Sequence, residues 1–175
     1  MIGGERRWDV AGHAPAASIA SEDTALPIEG KTAVNLPVGE LWRLFADVPR
    51  WPEWIPCMFW ARVTGGELRV GARLVWAFNA IKPAYLYKLP AMARIVACEP
   101  ERRVTWEVTL PGFHALHSYT FESTGAESSA FGSWEVAEGP AYKLLRPFWL
   151  AHFRYVRDES LRAAAKLRRS GQNGA

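Results

Sequence analysis

Residues 103–110 read RVTWEVTL, with Val104, Trp106 and Val108 alternating against Arg103, Thr105 and Glu107. A period of two sustained this long belongs to an antiparallel strand with one apolar and one wet face. A sheet of such strands must lay its apolar face on something. In residues 141–167, Leu145, Trp149, His152, Phe153, Val156 and Leu167 trace a broad apolar stripe, and Arg157, Arg162 and Lys166 occupy the opposite side. One sheet covered by one long terminal helix is the arrangement that constrains every other reading.

The same periodicities place the remaining elements. A first strand over 25–35 carries Ile28, Thr32 and Val34, and a short helix after Pro37 presents Leu41, Trp42, Leu44 and Phe45 before ending near Asp47. Strands follow over 58–63, over 73–79 with Leu74, Trp76 and Phe78 on one face, and over 85–98 with a break or bulge at Pro90. The run FHALHSYTFE puts Phe113, Ala115, His117, Tyr119 and Phe121 on one side, and 129–137 makes a last strand containing Trp134. Pro147 either begins a second helical segment or kinks a single one. Between the small helix and the second strand stands WPEWIP, where two prolines fix the backbone while Trp51 and Trp54 either gate a cavity or staple the helices to the sheet.

A chain of 175 residues, 49% hydrophobic and 22% charged, is long enough for one domain with a real core. The expected division is a flexible arm over 1–22, one ligand-binding domain over 23–170 and a disordered tail over 171–175. With 21 basic against 18 acidic residues, no nucleic-acid partner is expected. No window reaches the roughly 18 apolar residues of a membrane span, and Asp9, His13 and Pro15 interrupt the stretch where a secretory signal would be apolar. The expectation is a cytoplasmic protein without stable membrane insertion. Cys57 and Cys98 lie far apart with no His or Cys at metal spacing, so they read as buried free thiols, and no metal or cofactor is expected.

The element order, together with WPEWIP, VGARL and the EP-x-x-R-x-x-W segment, resembles the SRPBCC superfamily of START and polyketide cyclase/dehydrase-like proteins over residues 24–168. Trp42 matches its first helix, Asp47 to Trp54 its D-x-x-x-W-P-x-W turn, and Gly66, Val70, Gly71 and Leu74 its following hairpin. Pro100, Arg103 and Trp106 match the next turn and strand, His117 and Phe121 an H-x-x-x-F strand, and Glu135 with Gly139 a late E-x-x-x-G. The usual Thr opening the last strand is absent, Glu127-Ser128-Ser129 standing there instead. The resemblance implies an α+β helix-grip fold: a curved antiparallel sheet of about seven strands wrapped around the C-terminal helix, with one or two short helices after the first strand and a hydrophobic cavity between sheet and helix.

Within such a cavity the candidate ligand-binding residues are Trp54, Trp60, Trp76, Phe78, Trp106, His117, Tyr119, Phe121, Trp134, Trp149, His152 and Phe153. His117 and Tyr119 are the candidates for moving protons. His114, three residues from His117, falls on the opposite strand face, which argues against a shared metal. Glu107 and Glu135 are expected on the wet face, opposite Trp106 and Trp134. Arg94, if inward, would meet an acidic ligand head group.

Three functions compete. The first is binding of a small hydrophobic molecule, a lipid, sterol-like or polyketide-like aromatic compound, without catalysis. The second is a cyclase, aromatase or dehydratase-type lyase in which the cavity folds a reactive chain. The third is a membrane-surface or protein-interaction module using WPEWIP, Phe148-Trp149 or the basic tail.

Overall fold

A computed structural model describes residues 27–79 and 88–168. Seven strands, β1 (Ile28–Val34), β2 (Met58–Val63), β3 (Arg73–Phe78), β4 (Leu89–Glu99), β5 (Arg103–Leu110), β6 (Phe113–Gly125) and β7 (Ser128–Glu138), form one sheet in the order β1-β7-β6-β5-β4-β3-β2. Every ladder is antiparallel. Each strand from β2 to β7 pairs with its neighbour in sequence, and β1 joins at the edge beside β7, which brings the two ends of the domain together. The proposed arm and tail lie outside the described residues, as do the first residues expected in the strand before Cys98.

Helices α1 (Val38–Ala46), α2 (Trp51–Trp54), α3 (Pro140–Leu144) and α4 (Arg146–Ala165) complete the fold. Pro37 precedes α1, whose Leu41 and Phe45, one turn apart, are both fully buried. Pro147 sits in the first turn of α4, where its missing N–H costs nothing, so it starts a helix instead of kinking one. In β4 the irregularity falls between Ile95 and Ala97, not at Pro90, which pairs with Ala77 near the strand's start. α4 lies across β1 at Gly30, where a Cβ would stand 2.6 Å from Leu161 Cδ1. That missing side chain lets the helix close over the sheet edge, and Asn35 bridging Arg168 fastens its far end.

WPEWIP is divided in its work. Trp51 is buried and donates its Nε1–H to the Phe45 carbonyl, 2.7 Å away, at the open end of α1. It also packs on Phe45 and Trp106, with ring centres 5.0 and 6.0 Å apart. Trp51 is the staple. Trp54 is half-buried, touches Phe45 and Phe131 at 6.5 Å, and lines a cleft of about 250 Å³ with Pro56, Glu159, Arg162, Ala163, Lys166 and Leu167. Cys57 is buried beside this corner, while Cys98 is only half-buried and faces the Leu68 carbonyl at 3.2 Å, so the expectation of two buried thiols holds for one.

Candidate functional site

Partners across an antiparallel ladder share a face. The ladders Ile95, Trp106, His117, Glu135 and Val104, Tyr119, Ser133 therefore stand on the inner face, toward α4. The middle of the interior is packed solid: Tyr119 stacks on Phe131 at 5.0 Å, Phe45 meets both, and the Tyr119 hydroxyl shares a 3.2 Å hydrogen bond with Ser160 of α4. Toward the start of α4 the composition changes. His117 and His152 are buried there, with Glu135 largely so, beside the rings of Trp76, Phe78, Trp106, Trp149 and Phe153.

His117 Nε2 lies 3.1 Å from Ser133 Oγ, and its Nδ1 lies 3.7 Å from Glu135 Oε2. With Nε2–H donating to the serine, the Nδ1 lone pair faces the carboxyl. The indole N–H groups of Trp76 and Trp149 and the Nδ1 of His152 are buried here without a hydrogen-bond partner, as is the Trp54 indole N–H at the other cleft. A buried polar atom left unpaired costs about 1–3 kcal/mol. Three such atoms in one aromatic neighbourhood mark where a ligand's polar groups are wanted. Phe148, half in solvent, lies parallel to the His152 ring at 6.5 Å and covers it.

Burial pushes the Glu135 carboxyl up to about 8. Burial, with His152 nearby, pushes His117 down to about 3, and burial brings His152 down to about 4. All three are neutral near pH 7: Glu135 keeps its carboxyl proton and each histidine a single N–H. A carboxyl with a raised folded value stabilises the fold below its ordinary 4.5 and loses that contribution as pH climbs to about 8. Histidines with lowered folded values act the other way, losing their contribution as pH falls below 6.5. Two histidines outweigh one carboxyl below 6.5, and above it only the carboxyl titrates. We therefore expect stability to peak near pH 6.5, then to fall by up to about 1.4 kcal/mol per pH unit until Glu135 has ionised. Urea unfolding across this range checks the prediction; Glu135→Gln should abolish the alkaline fall, and an undiminished fall in the variant would refute the assignment.

The structure corrects several positions expected from sequence. Glu135 is on the inner face with its side chain only 12% exposed, whereas Glu107 faces outward as expected, 3.7 Å from His114. Trp134 pairs with Ser118 and stands on the outer face, away from α4. Trp60 is also outside, 37% exposed, because the ladder slips between Met58 and Trp60 and reverses the phase of β2. Arg94 is outward and exposed, opposite Glu107 and Arg73. Trp76, Phe78, Trp106, His117, Tyr119 and Phe121 face inward with Trp149, His152 and Phe153 of α4, although Tyr119 and Phe121 belong to the packed middle. Trp54 opens on its own cleft at the far half of α4. His114 and His117 are on opposite faces, and among the described residues no cluster suits a metal.

Residues 27–170 match the family described as polyketide cyclase/dehydrase and lipid transport. The aromatase/cyclase Zhui from a Streptomyces species superposes with a TM-score of 0.67 at 16% identity, covering 86% of this chain and 99% of that one. The two-domain ARO/CYC protein BexL gives 0.62 at 17% identity over 81% of this chain, which spans 45% of BexL. The ginseng major latex-like protein 151 from Panax ginseng gives 0.55 at 19% identity, covering 81% and 98% of the two chains. At these identities the likeness shows the helix-grip fold. Comparison with curated proteins finds no match.

Proposed function

Because this chain belongs to the polyketide cyclase/dehydrase and lipid transport family, within the SRPBCC superfamily, we propose that it binds a small apolar aromatic molecule between its sheet and α4. The site is the end of the interior bounded by Trp76, Trp106, His117, Glu135, Trp149 and His152. The observation that carries this reading is the set of unpaired polar atoms on Trp76, Trp149 and His152, buried among rings that would stack on a flat ligand. The clefts along the other half of α4 mix apolar walls with charged side chains, Glu159, Arg162 and Lys166 in one and Lys31, Asp158 and Arg162 in the other, and suit an apolar molecule less well. Among the described residues no helix is long and apolar enough to cross a membrane.

Native mass spectrometry of the protein purified from its source should reveal a bound apolar molecule. Replacing His152, whose Nδ1 lacks a partner, by alanine should weaken binding of an oxygen-bearing fluorescent aromatic by about ten-fold, the equivalent of one hydrogen bond of about 1.4 kcal/mol. Failure to take up any apolar probe would end the proposal.

A second reading, a cyclase or dehydratase-type lyase, is favoured by the His117–Glu135 pair. A carboxyl that keeps its proton near neutral pH beside a neutral imidazole is poised to give a proton to one ligand atom and accept one from another. Tyr119 suits that role less, since burial raises its hydroxyl far above the usual value and Ser160 engages it. Turnover lost with binding retained in His117→Ala would select the enzyme.

A further inference from the structure

The strand registers sort the sheet's charges sharply. Lys31, Arg62, Arg73, Arg94 and Arg103 all stand on the outer face, with Gly132, Val75, Glu107 and Thr120 as ladder partners there. Glu29, Glu99, Glu107, Glu122 and Glu138 are outside with them. Of the Asp, Glu, Lys and Arg residues in the described strands, Glu135 alone faces in. Among the described residues its neighbours are uncharged: Ile28 on β1, and His117 and Tyr119 on β6. On α4, Arg154 is exposed, and Arg157 spends its charge on Asp158 and the Glu29 carbonyl.

The unpaired atoms add a direction. An indole N–H can donate and cannot accept, so the buried nitrogens of Trp76 and Trp149 call for oxygen acceptors. A ketone, amide or phenol oxygen answers them without bringing a charge. A carboxylate brings acceptors too, but it would be buried with no cation among the described inward-facing residues and beside a carboxyl that holds its own proton. Desolvation without a countercharge outweighs the hydrogen bonds it gains.

We infer that this interior is a charge filter, lined on its sheet side by a single inward carboxyl and by no cation among the described residues, which takes uncharged aromatic molecules presenting carbonyl or hydroxyl oxygens and turns away carboxylates. The inference rests on the reading that the interior holds a ligand, and it adds that fatty acids and other free acids are not that ligand. The protonated Glu135 carboxyl serves as a further donor to the same oxygens, a service lost once it ionises.

The test uses the full chain and two matched fluorescent probes, a naphthalene carboxamide and the corresponding naphthoate. Below the pH at which Glu135 ionises, the carboxamide should bind at least about ten-fold more tightly than the naphthoate, a difference of about 1.4 kcal/mol. Carboxamide affinity should fall as pH rises past about 8, and Glu135→Gln, which keeps a donor and loses the titration, should remove that fall. Naphthoate binding as tight as carboxamide binding overturns the filter while leaving ligand binding intact, and so does an unchanged pH profile in Glu135→Gln. Neither probe binding at any pH overturns the ligand reading and this inference together. Should the Gln variant not fold, the ratio of the two affinities in the unaltered protein still decides.

Discussion

Trp51→Ala should unfold this protein more readily than any aromatic truncation on the rim of the sheet. Trp51 is 1% exposed, and emptying a buried tryptophan position costs about 3–5 kcal/mol through lost transfer energy and the cavity left behind. Its Nε1–H also satisfies the Phe45 carbonyl, one of the open acceptors at the end of α1. The loss is expected to separate α1 from Trp106 and the middle of the sheet. Equilibrium urea unfolding gives the number, and Trp60→Ala, on the outer face, is the contrast. If the two variants lose equal stability, Trp51 is not the staple the structure makes it.

Gly139→Ala is expected to be nearly as costly for a different reason. Gly139 has φ of 109°, in the range that favours glycine, and an added Cβ would stand 2.4 Å from the Gly112 carbonyl oxygen and 2.9 Å from its carbon. Both atoms are backbone, so no side-chain rotation relieves the clash. The Gly112 oxygen also accepts the Ala141 N–H at 2.8 Å, the bond that fixes α3 against the β5–β6 turn. Strain at such a position costs about 1–3 kcal/mol before any displacement. Displacing α3 should loosen Tyr142 from Phe113 and, through Phe113, Trp149 beside the candidate site. Gly71→Ala is the control, because Gly71 has a similar φ of 85° with nothing within 4 Å of the added carbon. Thermal unfolding should show a clearly larger drop at Gly139, and equal drops would mean that the close approach to Gly112 carries no weight.

Strand phases read from local alternation came out right where a strand is uniformly apolar on its inner side. In β5 and β6 the apolar residues Val104, Trp106, Tyr119 and Phe121 all point toward α4, and His117 could be assigned to that face by simple counting. β7 defeats the same counting. Its largest apolar residue, Trp134, lies outside, while its inner positions are Ser129, Phe131, Ser133, Glu135 and Ala137. Hydrophobicity followed strand by strand therefore reverses the phase and hides Glu135. The signal that would have found it is pairing: a tight turn near Ala126 sets Phe121 opposite Phe131, and the same ladder sets His117 opposite Glu135. In β2 the slip after Met58 leaves Trp60 on the outer face, and no periodicity in six residues announces it.

The sequence alone determined the elements, the order in which they occur and the family to which the chain belongs, because backbone periodicity, proline position and glycine turns act over a few neighbouring residues. It also determined that one helix must cover the sheet, since each carries an apolar face that water will not tolerate. Only the tertiary structure decided which acid is buried, which tryptophan is the staple, and where polar atoms lack partners. Those facts depend on register between strands and on the depth at which α4 seats over Gly30. They are set by pairs of residues far apart in the chain, whose mutual burial raises a carboxyl well above the usual carboxylate range.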